Sequence, residues 1–179
     1  MNKVQGKIDI NDFTTRVFDL WDNQWLLLTS GNFQAEKYNA MTVAWGGLGI
    51  MWNLPIAMVV VRPSRYTFQF INEYDTFTLC AFSEAYRKSL QLLGTKSGRD
   101  GNKIKEAGLT PVQIHVVNTP VYKEAELTIA CRKIYYQDFI PSQFLDDRIE
   151  RQYNGNDYHR MLYGEVLEIV RNPDGKGNN

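Results

Sequence analysis

The sequence predicts a mostly β fold, a small barrel with a few short helices, built as a single domain over residues 1–171. Three observations predict it. Apolar runs of strand length recur along the chain, bounded by Gly, Pro, Asn and Ser. Helical signals are few and do not alternate regularly with the strands, which argues for a barrel over a doubly wound sheet. Four Trp, ten Tyr and nine Phe make up 13% of the chain, and such rings favour pleated sheets and line pockets for flat ligands.

The elements follow in order. Trp25–Thr29 is apolar and ends at a Ser30-Gly31-Asn32 turn. Tyr38–Trp45 is a second strand, after which Gly46, Gly47 and Gly49 break the chain. Ile56–Arg62 lies between Pro55 and Pro63 and reads as a strand buried on both faces. Ser64 is placed to cap a helix from Arg65 to Glu73, with Tyr66, Phe70 and Tyr74 aligned by helical spacing. Thr76–Phe82 alternates, with Phe77, Leu79 and Ala81 on one side. Ser83 caps a second helix over Glu84–Leu93, and Gly94 stands at its end. Asp100 starts a short turn that Gly108 stops, and Pro111–Val117 is a further strand candidate.

Ala125–Asp138 is the longest strand signal. Leu127, Ile129 and Cys131 share one face, and the apolar phase then slips to Ile134 and Tyr136, as a β-bulge requires. Ser142–Gln152 groups Phe144, Leu145 and Ile149 in a helical pattern, and Met161–Val170 closes the series of strands. The Gly- and Asn-rich segment 172–179 reads as a disordered tail.

Composition narrows the function. Lys plus Arg and Asp plus Glu are both 20, so no global field draws the chain to nucleic acid or to anionic lipid. Any anion must be caught locally. Cys80 and Cys131 sit in apolar stretches and read as reduced core residues. Met1–Phe13 lacks the apolar core of a signal peptide, and the longest apolar runs, Trp25–Leu28 and Ile56–Val61, fall far short of a membrane span. These features point to the cytoplasm and to no membrane partner.

Several chemistries lack their motifs. The glycines at 46, 47 and 49 do not have the spacing of a dinucleotide fingerprint, and Gly94–Gly98 lacks the ending of a phosphate loop. With only His115 and His159 and two isolated thiols, no metal-ligand set can be assembled locally. There is no Gly-x-Ser-x-Gly elbow. A bound organic cofactor is left as the source of chemistry.

Four clusters remain. In Arg62-Pro63-Ser64-Arg65-Tyr66-Thr67 a buried strand ends and a helix starts at once, which gathers two guanidinium forks, hydroxyls and backbone N–H groups where a phosphate can be held. A capped helix with solvated arginines is the alternative. Lys96-Ser97-Gly98-Arg99-Asp100, followed by Lys103, brings three cations within eight positions. That stretch alone reads better as a charged surface loop. Asn39-Ala40-Met41-Thr42-Val43-Ala44-Trp45 puts polar groups in a strand otherwise buried, where the backbone can pair with a flat heterocycle and Trp45 can wall the pocket; a plain core strand is the alternative. Tyr158-His159-Arg160 with Tyr163-Gly164-Glu165 offers a lone imidazole, which alone signifies little.

Together the segments NAMTVAW (39–45), RPSRYT (62–67), SGRDGNK (97–103) and HRMLYGEV (159–166) resemble the flavin reductase-like, or flavoredoxin-like, FMN-binding split-barrel family, in order and spacing. The resemblance implies a six-stranded antiparallel Greek-key barrel, a homodimer, and FMN near the subunit interface. It implies that Asn39–Trp45 contacts the isoalloxazine ring and that Arg62–Thr67 holds the phosphate and ribityl groups. Lys96, Ser97, Gly98 and Arg99 would close over them, and His159 would lie beside the flavin as the candidate catalytic group. The expected activity is reduction of flavin by NADH or NADPH, with electrons passed to a small-molecule or protein acceptor. An electron carrier without a nicotinamide site and a non-enzymatic binding module are the alternatives. The segment Gly46–Asn53 is bulkier than the family's minimal turn, and Met51 and Trp52 are expected to shape the pocket mouth.

Overall fold

The computed structural model describes residues 6–153 and 155–172. Its strands are β1 (Lys7–Ile8), β2 (Leu26–Asn32), β3 (Lys37–Val43), β4 (Gly46–Met51), β5 (Leu54–Val61), β6 (Thr76–Ala81), β7 (Pro111–Val112), β8 (Val121–Tyr122), β9 (Leu127–Asp138) and β10 (Arg160–Arg171). Five short helices interrupt them: α1 (Val17–Asp19), α2 (Thr67–Glu73), α3 (Arg87–Thr95), α4 (Lys103–Glu106) and α5 (Asp147–Glu150). The main sheet runs in the order β3-β2-β6-β9-β10-β5-β4, antiparallel throughout, and β1 also pairs with β10. β7 and β8 form a separate pair.

The sheet rolls around one core. Leu28, Met41, Val59, Leu79, Ile129 and Leu162, from six different strands, are all buried in a single apolar cluster. The outermost strands β3 and β4 share no ladder among the described residues, so the barrel is split. The opposite face of β2, β3 and β6 packs Leu27, Ala40 and Cys80 against Leu90 and Leu93 of α3 and Ile104 of α4. The alternation expected in Thr76–Phe82 holds, since Phe77, Leu79 and Ala81 enter the barrel while Cys80 and Phe82 face the helices. Both thiols are free and buried.

The expected slip in the long strand is present. Tyr163 pairs with Tyr135 and Gly164 with Lys133, which leaves Ile134 as the extra residue of a bulge. The Lys133 ammonium donates to the carbonyls of Ile71 and Tyr74 at the end of α2.

Other expectations are corrected. The main sheet has eight strands, not six, because the glycines at 46, 47 and 49 do not break the chain but form β4 beside β5, and because the short β1 adds to β10. A hairpin makes this possible: Trp52 and Asn53 both take left-handed backbone (φ 52° and 59°), the conformation of a two-residue primed turn. β5 consequently starts at Leu54 and includes Pro55. β2 continues through Ser30-Gly31-Asn32, and the turn falls later because Asn32 Oδ1 accepts from Ala35 N–H and Phe33 O accepts from Glu36 N–H. Only Pro111–Val112 of the 111–117 segment is strand; Ile114 and Val117 instead pack into the helix-side core.

The helices also shift. α2 begins at Thr67 rather than Arg65, since the Ser64 side chain is drawn to Asp157 and Arg65 N–H closes a turn onto Arg62 O. Ser83 makes no side-chain cap; a single 3-10 turn over Glu84–Tyr86 precedes α3, which runs past Gly94 to Thr95. Asn102, not Asp100, caps the short helix before Gly108. Residues 142–152 are not one helix: Asp146 caps α5 at Arg148 N–H, Leu145 is fully exposed and Phe144 turns to stack on Tyr153 and Tyr158. Asn172, expected to open a loose tail, donates its N–H to Glu126 O; residues 173–179 lie outside the described residues. No helix among the described residues is long and apolar enough to cross a membrane.

Gly46 shows why β4 starts where it does. A Cβ there would lie 2.3 Å from the Trp21 ring and 2.4 Å from Met58 O, so the indole plugs the barrel end only because the side chain is absent. Gly46→Ala is expected to cost about 1–3 kcal/mol through overpacking. Chemical denaturation checks this, and an unchanged midpoint would contradict it.

Candidate functional site

β5 delivers Arg62 at the rim of the barrel, and β10 brings His159 beside it, because Arg160 pairs with Val61. β3 passes alongside, and the loop after α3 closes the other side. Between these elements lie two adjoining cavities. One, of about 230 Å³, is lined by Met41, Thr42, Val43, Ala44, Trp45 and Val60 and by Arg62, Arg65 and His159. The other, of about 200 Å³, is lined by Asn39, by Ser64–Thr67 and by Lys96–Arg99, with Lys103. Met41 and Arg65 line both.

Every residue assigned from the sequence as binding or catalytic therefore lines one of these cavities, except Ala40. The alternation of β3 turns Ala40 away, and it is fully buried against α3. Thr42 lines the first cavity, yet its hydroxyl already donates to Leu90 O. Asn39 is fixed by donation to Thr67 Oγ1 at 2.7 Å. Met51 and Trp52 line neither cavity. They sit at the far tip of the β4–β5 hairpin, where Trp52 packs on Tyr135 and Tyr163, each at 5.9 Å. The expectation that they shape the mouth is not met, since β4 carries them roughly 20 Å along the strand from Trp45.

The second cavity is rich in cations. Arg65, Lys96, Arg99 and Lys103 line it, and among the described residues no carboxylate does. Arg65 is oriented by donation to Gly94 O at 3.0 Å. Arg99 lies over the Tyr66 ring at 4.8 Å, and Ser97 Oγ accepts from Arg99 N–H. The Lys96 ammonium is engaged by Glu106, at 2.6 Å from one oxygen. Gly98 allows a close approach here: a Cβ would fall 2.2 Å from Asn39 Oδ1 and 2.9 Å from the Tyr66 ring.

Three contributors are not among the residues picked from the sequence as binding or catalytic. Lys103 is 4% exposed, and its ammonium donates to Leu93 O and Lys96 O, both at 2.9 Å. Burial, reinforced by Arg65, lowers its pKa to about 8. Two of its three N–H donors are spent on these carbonyls, which leaves one for a ligand. Asp157 accepts from the Ser64 N–H at 3.0 Å and its hydroxyl at 2.6 Å, and lies 3.9 Å from Arg62. Tyr153, buried beneath Arg62, bonds its hydroxyl to His159 Nδ1 at 2.9 Å. The clustered charges near Lys103 were the one legible signal; Asp157 and Tyr153 gave none.

His159 is 9% exposed, with its ring 5.2 Å from that of Trp45. Burial, followed by the Arg62 guanidinium, lowers its pKa to about 4, so it is neutral at neutral pH. A folded pKa below the ordinary 6.5 stabilises the fold fully above pH 6.5, and that contribution is lost as pH falls towards 4. The loss amounts to roughly 3 kcal/mol at most. Unfolding measured across this window should show it, and His159→Gln should flatten the profile; an unaltered profile in the variant would contradict the assignment.

Comparisons with known proteins bear on this geometry. Residues 23–178 match the family model described as flavin reductase like domain. An uncharacterized protein of Pyrococcus abyssi (strain GE5 / Orsay) is 27% identical over 113 residues, a match covering 63% of this chain and 63% of that protein. Among solved structures, the FMN-binding domain of a flavin reductases-like enzyme from Shewanella baltica OS155 superposes with a TM-score of 0.66 at 16% identity, covering 96% of this chain and 81% of that one. Flavoredoxin of Desulfovibrio vulgaris (Miyazaki F) gives 0.65 at 21% identity, covering 92% and 77%. A Streptomyces globisporus NADH:FAD oxidoreductase gives 0.63 at 15% identity, covering 84% and 76%. At these identities the likeness is one of fold.

Proposed function

The chain belongs to the flavin reductase-like domain family, and from that premise we propose that it is an FMN-binding oxidoreductase that draws electrons from NADH or NADPH. The observation that carries this reading is the pairing of a cavity lined by cations and, among the described residues, by no carboxylate with an adjoining second cavity walled by a strand edge, Trp45 and His159. One pole suits a phosphate and the other a flat heterocycle. The missing side chain at Gly98 lets the loop backbone pack against Asn39 and Tyr66, which holds Ser97 and Arg99 at the wall of the cationic cavity.

On this reading Arg65, Ser97, Arg99 and Lys103 hold the phosphate, with Ser64, Tyr66, Thr67 and Lys96 around it. Asn39, Met41, Thr42, Val43 and Trp45 border the ring, and Arg62 supplies positive charge near it. FMN, when bound, supplies the chemistry of accepting a hydride and releasing electrons. The protein binds and orients it and offers positive charge where negative charge develops. His159, neutral and held in one orientation by Tyr153, acts as a proton relay rather than as a charged acid. An anion in the cavity offsets Arg62 and Arg65 and raises the His159 pKa.

A homodimer is part of the proposal. The half-exposed aromatic cluster of Trp52, Tyr135 and Tyr163, beside exposed Ile50, supports it, because such patches mark contact surfaces. The deciding experiment is rapid mixing of the FMN-loaded protein with NADH or NADPH. Bleaching of the flavin absorbance supports the reductase. Absence of bleaching with either donor contradicts it and leaves an electron carrier, as flavoredoxin-like folds would suit.

A further inference from the structure

One carboxylate of the chain occupies a set of donors that would suit a phosphate. Asp157 Oδ1 accepts from the Ser64 N–H at 3.0 Å, and Oδ2 accepts from the Ser64 hydroxyl at 2.6 Å. The Arg62 guanidinium lies 3.9 Å from the same carboxylate. A backbone N–H, a hydroxyl and a guanidinium converging on one group are the donors that bind oxyanions. The Arg62 and Asp157 side chains are 27% and 25% exposed, so the arrangement is screened less than a pair on an open surface. Asp157 reaches it on left-handed backbone, φ 54°, a conformation that Asp and Asn tolerate better than most residues.

The same contact helps to fix a longer stretch, residues 140–158, which carries α5. Among the described residues, every hydrogen bond that leaves this stretch ends on Arg62, Ser64 or His159. Arg62 donates to Gln152 O at 2.9 Å, Ser64 donates to Asp157, and the Tyr153 hydroxyl meets His159 Nδ1 at 2.9 Å. Phe144, Tyr153 and Tyr158 stack on one another within the stretch. Arg62 and His159 line the first cavity of the candidate site, and Ser64 lines the second. What fills the site and how firmly the stretch is held are therefore coupled, and the coupling is reciprocal.

We propose that Asp157 is a built-in competitor for the oxyanion of the ligand, and that an anion taking the donors of Ser64 and Arg62 loosens residues 140–158. Two anions cannot share these donors, because like charges at such separations repel. The identity of the anion as the phosphate of FMN rests on the flavin reading; the competition itself is tested with inorganic phosphate.

Asp157→Asn keeps a residue suited to the left-handed backbone and removes the charge. Inorganic phosphate, titrated against the full chain by NMR or calorimetry, should bind this variant about tenfold more tightly than the wild type. FMN should gain by a similar factor, and riboflavin, which lacks the oxyanion, should gain nothing. Asp146→Asn removes an equal charge from the same stretch, at a carboxylate paired with Arg148, and should change neither affinity. Hydrogen exchange on the wild type needs no variant. Saturating phosphate should speed exchange at Ile149, Arg151, Gln152 and Tyr153, whose N–H groups are bonded within the stretch. Equal phosphate affinity in the wild type and Asp157→Asn overturns the proposal, as does a gain that Asp146→Asn reproduces, phosphate binding by neither form, or unaltered exchange. Tighter phosphate binding in Asp157→Asn with no binding of FMN sinks the flavin reading alone. FMN binding that Asp157→Asn leaves unchanged sinks the competitor alone.

Discussion

Replacing Arg65 with alanine is expected to weaken FMN binding by about 10- to 100-fold, the loss of one charge-assisted contact to a phosphate. Arg65 is the cation that lines both cavities, so it meets a ligand at the junction of its anionic and aromatic ends. Its donation to Gly94 O also ties the end of α3 to the segment after β5. The fold should tolerate the change, because the side chain is exposed and outside the apolar clusters. Arg148→Ala, which removes an exposed guanidinium on α5 paired with Asp146, serves as the control and should leave affinity unchanged. Equal affinities for wild type and Arg65→Ala in a fluorescence titration would remove the phosphate assignment.

Gly98→Ala is the second large effect. One methyl group would sit 2.2 Å from Asn39 Oδ1 and 2.9 Å from Tyr66, and both neighbours are held. Asn39 is anchored to Thr67, and Tyr66 lies between Phe70 and the Arg99 guanidinium. The loop must therefore move outward, which withdraws Ser97 and Arg99 from the cavity. FMN affinity is expected to fall at least about tenfold, with a change in stability of under about 2 kcal/mol. An unaltered affinity would mean that the Ser97–Arg99 loop does not close on the ligand.

Much of this architecture was legible because it is written locally. The phase slip from Cys131 to Ile134 located a bulge to the residue, since a strand's period of two makes any insertion visible. The arginines at 62 and 65 and the Ser97–Arg99 loop were marked by residue types that gather around anions. β4 was missed for the opposite reason. Its glycines carry no strand signal of their own, and β5 supplies the pairing that makes them a strand.

The supporting contacts of the site were hidden by distance along the chain. Ser64 and Asp157 are 93 residues apart, so nothing near Ser64 shows that its hydroxyl has a partner better than the helix end. Lys103 looked like one more surface charge. Only the packing of α4 against α3 buries it and brings the carbonyls of Leu93 and Lys96 to its ammonium. Tyr153 orients His159 from just past a segment whose sequence suggested a plain helix.

Paired titrations with FMN and riboflavin, which differ only in the phosphate, reach the heart of the account. FMN should bind about a hundredfold more tightly, with the difference largely erased in Arg65→Ala. Equal affinity of the two flavins for the wild-type protein would contradict the account, since the cationic cavity would then hold no part of the cofactor.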